Sequence, residues 1–480
     1  MSSDIDCATK NWYGTVASAG WSHKLPAEPD DLRRAGMKWG LTDGGAPTIY
    51  RQALLTAPAV GAACSPDILA ELGAALAPLG WSVYVAEPSG DDETLWLRID
   101  SDPTPDPDAW TALQALRNAK RLSAGAARLV GSLSLARLSF IGMPAKEGHA
   151  GAAREAVEVL APAPPWRPLP HVPGGRRPVV AMLDSGVSAH GWLAASDHAR
   201  HGDRFCVDAQ RLGFVPAGPP LPPRGDGDTS PPDGRLDTHA GHGTFIAGLI
   251  RQAAPDAQVL SLHAMRGDGV LDESTVNSAL KWLLERVRRA GDAPGLFVDI
   301  ICLSFGYYEQ QPSDNRSTAE LRCLLGELGD LGVRVVASAG NHGNEAPVLP
   351  AAFADEKYKS AGTAPATQLV SVGALNPDGS RAAYSNFGRW VREWVVGTAL
   401  MSTIPAFGVA HGKKPATEFD PANLVGGFAR WGGTSFAAAV FAGRLAQALV
   451  DDAERNGTSM RDVSPRAAHQ RATRALAAVK

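Results

Sequence analysis

The sequence predicts an α/β protein, an open, doubly wound and mostly parallel sheet preceded by a smaller α+β N-terminal domain. Three observations carry this. Five near-continuous apolar runs of strand length, "RPVVAMLDSG", "DAQVLSLHAM", "VDIICLSFG", "VRVVASAGN" and "TQLVSVGAL", suit strands buried on both faces. Helical stretches such as "STVNSALKWLLERVRRA" and "TAELRCLLGELGDLG" separate several of them, the alternation of a doubly wound domain. The stretch "APAPPWRPLPHVPGGRRP", residues 161–178, is too rich in proline for helix and reads as an extended, semi-stiff linker.

The domain limits follow: residues 1–160, the linker 161–178, and an α/β domain over 179–480 that ends in a helical tail. In the first domain, "SPDILAELGAALAPLG" offers Ser65 as a cap, Pro66 at the first helical position and apolar residues at helical spacing. The segments "WSVYVAE" and "TLWLRID" alternate as paired strands do around the turn "PSGDD", and "DAWTALQALRNAKRL" returns to helix. Within the second, "GFVPAGPPLPPRGDGDTSPPDGRLD" reads as a long surface insertion.

Composition excludes several function classes. With 46 basic and 50 acidic residues the formal charge is −4, which gives no footprint for nucleic acid or an anionic membrane surface. No apolar run reaches the roughly 18 residues of a membrane span. The start "MSSDIDCATKNWYGTV" lacks a basic head and an apolar core, so no secretory leader is read. Cys7, Cys64, Cys206, Cys302 and Cys323 are scattered, without metal-ligand spacing or a disulfide framework. That usage fits a reducing compartment, and cytoplasmic residence is the expectation.

Ligands meet an open parallel sheet at the carboxyl ends of its strands. The first run ends at Asp184, which reads either as a turn-initiating aspartate or as a functional carboxylate. In "THAGHGTFIAGLI", His242 opens a helix, as a capping or packing residue or as a base. His239 and His242 lack a third ligand at a recognisable spacing, and the looser set His190, His198 and His201 reads as solvated loop, so no metal or other cofactor is expected. "RVVASAGNHG" ends in Asn341, a turn residue whose amide can also stabilise an oxyanion. In "WGGTSFAAAVFAG", Ser435 is an N-cap or a nucleophile. A hydroxyl needs a neighbouring base, and an imidazole held by a carboxylate is a suitable one. Asp, His and Ser in that order, each at the edge of a core element, favour the chemical reading of all four residues.

The blocks "VVAMLDSGV", "GHGTFIAGLI", "ICLSFG", "VVASAGN", "LVSVGA", "YSNFG" and "GGTSFAAAVFAG" together resemble the subtilisin-like serine peptidases, the subtilases, over roughly residues 176–450. The triad of that family runs Asp, His, Ser along the chain, the same order as here. The resemblance implies a subtilisin-like fold and a serine endopeptidase. Asp184 would orient the base, His242 would act as general base and then acid, and Ser435 would attack. Asn341 and the Ser435 N–H would hold the oxyanion. Ser304, Phe305 and Gly306 match the segment that pairs with substrate and walls the specificity pocket, and Gly269, Val270 and Leu271 are candidates for the opposing substrate strand.

Departures from the family pattern are Ala439 for a usual proline, Phe245 for a polar residue after "HGT", and Val396 before Gly397. The chain is also lengthened by "ADEKYKSAGTAPA" near the specificity pocket, where Asp355 and Glu356 either favour a basic substrate residue or are solvated loop charges. The expected partner is a peptide or protein substrate, processed inside the cell, with neither nucleic acid nor membrane. The N-terminal domain reads as an inhibitory propeptide or as a permanent regulatory domain, with "GGRRP" as an exposed cleavage point between the two parts. The competing class is a catalytically silent binding or scaffold protein on the same fold.

Overall fold

The computed structural model describes residues 37–41, 47–58, 64–86, 94–101, 106–140, 155–157, 162–193, 204–216, 239–267, 269–308, 315–355, 368–405 and 426–480. The expected turn "PSGDD" lies outside them, as do most of the proline-rich insertion and of "ADEKYKSAGTAPA".

Alternating residues in the N-terminal region build an antiparallel sheet. Its strands are β1 (Met37–Leu41), β2 (Pro47–Pro58), β3 (Trp81–Val85), β4 (Thr94–Ser101) and β5 (Ser134–Phe140), in the order β5-β2-β4-β3 with β1 also on β2. Helix α1 (Pro66–Leu76) starts as its sequence directs, with the Ser65 hydroxyl accepting from the Ile68 N–H and Pro66 in the first turn. The expected helix over "DAWTALQALRNAKRL" is α2 (Ala109–Arg117), capped by Asp108, and a further helix, α3 (Ala124–Ser132), capped by Ser123, follows it. Leu72, Leu76, Leu97, Ile99, Leu113 and Leu135 fill the core between sheet and helices.

A short strand β6 (Glu155–Ala156) precedes the larger sheet. That sheet contains β7 (Val179–Asp184), β8 (Cys206–Asp208) and, after helix α4 (His242–Ala253), β9 (Gln258–His263). Strand β10 (Val270–Asp272) and helix α5 (Glu273–Arg288) lead to β11 (Ile300–Leu303) and the short β12 (Tyr307–Tyr308). Helix α6 (Asn315–Asp330), β13 (Arg334–Ser338), β14 (Val348–Leu349), β15 (Leu369–Leu375) and β16 (Glu393–Val396) follow. The chain closes with β17 (Leu400–Thr403), β18 (Phe428–Trp431), α7 (Thr434–Asn456) and α8 (Pro465–Val479).

The seven strands run β16-β15-β13-β11-β7-β9-β8, every pair parallel. All five apolar runs of the sequence are the central strands of this sheet. Residues along β7 alternate between its two faces. Val179, Ala181 and Leu183 join the core that holds Leu280 and Leu283 of α5 and Leu328 of α6, whereas Val180 and Met182 join Phe245 and Ile246 of α4 and Phe441 of α7. Helix α7 runs unbroken through Ala439 and lies so close to α4 that a Cβ on Gly443 would stand 2.6 Å from that of Ala253. From β7 the chain winds one way to β9 and the other way to β11, β13 and β15. The crevice at the carboxyl ends of β7 and β11 is therefore the topological switch point, where such sheets bind ligands.

The two halves share a sheet. Strand β10 pairs antiparallel with β5, Val270 opposite Phe140 and Leu271 opposite Ser139, and becomes the edge of the N-terminal sheet. Arg51 of β2 grips Asp272 through two bonds of 2.8 and 2.7 Å. On the far side, β6 pairs with β18.

Residues 162–178 contain only single 3-10 turns, at Leu169–His171 and Pro173–Gly175, and they are tied down. Trp166 lies under the Arg177 guanidinium at 3.6 Å. The Arg176-Arg177 pair, expected to be exposed, is 6% and 3% exposed, because Arg176 bonds both Asp299 oxygens at 2.7 and 2.8 Å and the Met460 carbonyl at 2.8 Å. Cys64, Cys206 and Cys302 are free thiols, whereas Cys323 is disulfide-bonded, which the scattered cysteines did not foretell. No helix among the described residues is long and apolar enough to cross a membrane.

Asp299 also accepts from the Val179 N–H at 2.9 Å, so the Arg176 pair fixes the start of the first strand of the large sheet. Removing one partner of a buried pair strands the other's charge, at a cost of roughly 3–5 kcal/mol. Arg176→Ala is expected to lower the unfolding free energy by about that much. A midpoint in urea within error of wild type would show that the pair does not act this way.

Candidate active site

Asp184 ends β7 and His242 is the first residue of α4, so sheet and helix bring together two groups that are 58 positions apart. Both are 1% exposed. The His242 Nδ1 stands 2.8 and 3.0 Å from the two Asp184 oxygens, and Asp184 Oδ1 also accepts from the Ser185 N–H at 2.8 Å. Ser185 Oγ in turn accepts from the Gly243 N–H at 3.1 Å. Gly243 is required by this packing, because a Cβ there would lie 2.1 Å from the Gly186 carbonyl oxygen. The ring is held at Nδ1 by a carboxylate, while its buried Nε2 has no hydrogen-bond partner. His242 is thus neither a cap nor a packing residue alone.

The N-cap of α7 is Gly433, without any side-chain bond, so Ser435 does not cap the helix. Its hydroxyl, 1% exposed with the rest of the residue, donates to the Ser304 carbonyl at 3.1 Å and not to the imidazole. The neighbouring Phe436 ring lies 5.1 Å from the His242 ring, so the start of α7 adjoins the start of α4.

Asn341 follows β13. Its Oδ1 accepts from the Thr434 N–H at 2.9 Å and the Thr434 hydroxyl at 2.8 Å. With the carbonyl end doubly bound, the amide Nδ2 faces the other way. A Cβ on Gly433 would come 3.7 Å from that nitrogen. Ser304 and Phe305 are buried just past β11, and Gly306 follows. Gly269 (φ 82°) precedes β10, where Val270 and Leu271 are already paired with β5. A Cβ on Gly269 would stand 2.7 Å from His239 Nδ1, so β10 begins beside the helix that carries His242.

Sequence reasoning missed two groups of neighbours. Trp431 meets the His242 ring edge-on at 5.7 Å, and Phe245, the departure after "HGT", packs on Trp431 at 5.6 Å and on Phe436 at 4.5 Å. The imidazole therefore has an apolar, aromatic wall opposite its carboxylate. The second group supports Asn341. Asn386, from "YSNFG", accepts from the His342 N–H at 2.9 Å and donates to the Tyr308 hydroxyl at 3.0 Å, and that hydroxyl lies 2.9 Å from His342 Nδ1. Burial pushes the Tyr308 hydroxyl up to about 12 and the His342 imidazole down to about 4. Burial also raises the Cys302 thiol to about 12, so it is no rival nucleophile.

Among the described residues no group of three or more His, Cys, Asp or Glu could hold a metal ion. His190 meets Trp192 and Phe428 edge-on, and His198 and His201 lie outside the described residues, as does Glu356.

With the geometry in place, comparison with known proteins decides the family. The sequence profile of the subtilase family matches residues 175–477, which include Asp184, His242, Asn341 and Ser435. The chain belongs to the subtilase family. Among similar proteins, subtilisin NAT of Bacillus subtilis subsp. natto is 28% identical over 184 residues, 37% of this subtilase and 42% of the relative. Subtilisin BL of Lederbergia lenta is 26% identical over 235 residues, 47% and 66% of the two chains. An alkaline protease of Alkalihalobacillus alcalophilus is 26% identical over 266 residues, 52% and 55%. This subtilase thus spans about half the length of the curated relatives it matches. Among solved structures, a cold adapted subtilisin-like serine proteinase aligns at 19% identity and a TM-score of 0.35, covering 62% of this chain and 81% of that one.

The half-buried His342 gives a pH response of known sign. Its folded value, about 4, lies below the ordinary 6.5, so between these values the unfolded chain binds a proton that the folded one refuses. Stability is then expected to fall as pH drops from 6.5 towards 4, by a total on the order of 3 kcal/mol. The urea midpoints of wild type and His342→Gln at pH 7 and pH 4.5 check this. The variant should show a flatter pH dependence, and equal slopes would contradict the assignment.

Proposed function

We propose that this subtilase is a serine endopeptidase that acts on a peptide or protein through Asp184, His242, Ser435 and Asn341. The observation that carries the reading is the His242 ring. Its Nδ1 is held by a buried carboxylate, and its buried Nε2 has no hydrogen-bond partner, while the Ser435 hydroxyl rests on the carbonyl of Ser304, the residue that follows β11 beside Asp184. Such an imidazole presents a lone pair where a hydroxyl proton can be received.

In this mechanism a rotation about the Ser435 Cα–Cβ bond moves the hydroxyl from the Ser304 carbonyl to His242 Nε2. As Oγ attacks the substrate carbonyl carbon, its proton passes to Nε2, and Asp184 stabilises the imidazolium. The carbonyl oxygen becomes an oxyanion, held by Asn341 Nδ2 and the Ser435 N–H. The carbon–nitrogen bond then breaks and the imidazolium gives its proton to the leaving amine. Water repeats the sequence on the acyl group and restores Ser435.

A fluorophosphonate is expected to label wild type and not Ser435→Ala, read by intact-protein mass. Asn341→Leu should be labelled about 10²–10³ times more slowly, the usual loss for one oxyanion donor. A folded wild type that takes no label would favour the competing reading, a silent binding protein. That reading draws support from the Ser435 hydroxyl being bound to Ser304 instead of His242.

The N-terminal region enters the proposal as a module that occupies the substrate strand of its own peptidase. The pairing of β5 on Val270–Asp272 and the Arg51–Asp272 pair support this. Ser139→Pro, which removes one backbone donor from β5, is expected to raise kcat/KM on extended peptides several-fold relative to fluorophosphonate labelling. An unchanged ratio would mean that β5 does not compete with substrate.

A further inference from the structure

The floor between two walls of the candidate site carries a feature that the proposed chemistry does not use. Gly306 lies just past β11 and Gly340 just past the neighbouring parallel strand β13. A Cβ on Gly306 would stand 2.2 Å from Val348 Cγ1, and one on Gly340 would stand 3.2 Å from Val348 Cγ2. The two methyl groups of Val348 therefore reach the two opposite walls, and the side chain fills the gap between them.

This gap opens at the reacting groups. Ser304, two residues before Gly306, accepts the Ser435 hydroxyl through its carbonyl, and Asn341 directly follows Gly340. A carbonyl carbon held between Ser435 and Asn341 directs the side chain on its acyl side into the space between these segments. There it meets Val348, which is 4% exposed.

Val348 cannot readily step aside. Antiparallel pairing sets it opposite Tyr308 and sets Leu349 opposite Tyr307. Tyr308 is itself held by its hydroxyl, which accepts from Asn386 Nδ2 at 3.0 Å and from Asn344 Nδ2 at 3.3 Å. A Cβ on Gly306 would also meet the Leu349 carbonyl oxygen at 2.8 Å, so the walls are closed down on the β14 backbone. Forcing a large side chain into such packing requires off-rotamer side chains or backbone shifts.

We infer that Val348 sets the substrate class of this site: the residue contributing the scissile carbonyl is small, namely glycine, alanine or serine. The inference rests on the serine peptidase reading and deepens it. A small side chain stops above the isopropyl group, whereas a phenyl or isobutyl group collides with it. Discrimination of about 10–200-fold is typical for a single methylene in an apolar pocket, and several extra carbons here should reach at least the upper part of that range.

The test uses the full chain with three probes that phosphonylate serine. A fluorophosphonate with a linear alkyl tail reports the nucleophile itself. The N-acyl diphenyl phosphonate analogues of alanine and phenylalanine carry a single residue, so they do not depend on β10. Each transfers its phosphonyl group to Ser435 Oγ with loss of phenoxide, and the rates are read by intact-protein mass. Wild type is expected to react at least about 100-fold faster with the alanine probe than with the phenylalanine probe. Val348→Gly, and the milder Val348→Ala should the glycine variant fail to fold, are expected to narrow that ratio at least tenfold. Equal rates in wild type, a phenylalanine preference, or a ratio unmoved in a folded variant would overturn the inference while leaving the nucleophile in place. Absence of fluorophosphonate labelling would instead remove the peptidase reading, and this inference with it.

Discussion

The contact between Asp184 and His242 is the constraint around which the site is arranged. A carboxylate and an imidazole, both almost wholly buried, meet where β7 ends and α4 begins. Neither group is tolerable alone in such a place, since an unpaired buried charge is costly. The Ser185 N–H and the Ser185–Gly243 bond fix the carboxylate and the helix start together. The sheet supplies the rest by its topology. Because β7 and β11 adjoin where the winding reverses, Asp184 and Ser304 emerge side by side, and α7 delivers Ser435 to the same opening.

The groups around this contact divide into chemistry and support. Thr434 holds the carbonyl end of the Asn341 amide with two donors, which orients the other end. Asn386, Tyr308 and the half-buried His342 form a polar knot behind it, bonded to one another. Trp431, Phe436 and Phe245 wall the imidazole with rings. Phe245 is understandable here. A polar side chain in that position would have faced aromatic surface, so the phenyl group and the Phe436 ring complement one another. Val348 belongs to the same shell, because the polar knot fixes the strand on which it stands.

Much of this was legible in the sequence, for local reasons. Strands buried on both faces cannot alternate with polar residues, so β7, β9, β11, β13 and β15 stand out as apolar runs. The polar residues that end those runs stand out for the same reason, which made Asp184 and Asn341 visible. The pairing of β10 with β5 was not legible, because three residues such as Val270–Asp272 carry no periodic signal and their partner lies some 130 positions away. Strands β1 and β2 were also missed, since "PTIYRQALLTAP" mixes helix formers with β-branched residues and only tertiary packing chooses between them. Arg176 and Arg177 misled in the opposite direction. Two arginines beside two glycines read as surface, whereas Asp299 and Trp166, far away in sequence, draw them inside.

In the proposed mechanism Asp184 fixes the proton of the His242 ring on Nδ1 and leaves Nε2 as the acceptor for Ser435. Two-bond proton–nitrogen NMR correlation of the protein labelled with 15N in its histidines, with the His242 signals assigned from a His242→Gln sample, reads that tautomer directly. A protonated, pyrrole-type Nδ1 and an unprotonated, pyridine-type Nε2 are expected. The reverse pattern, with the proton on Nε2, would contradict the mechanism.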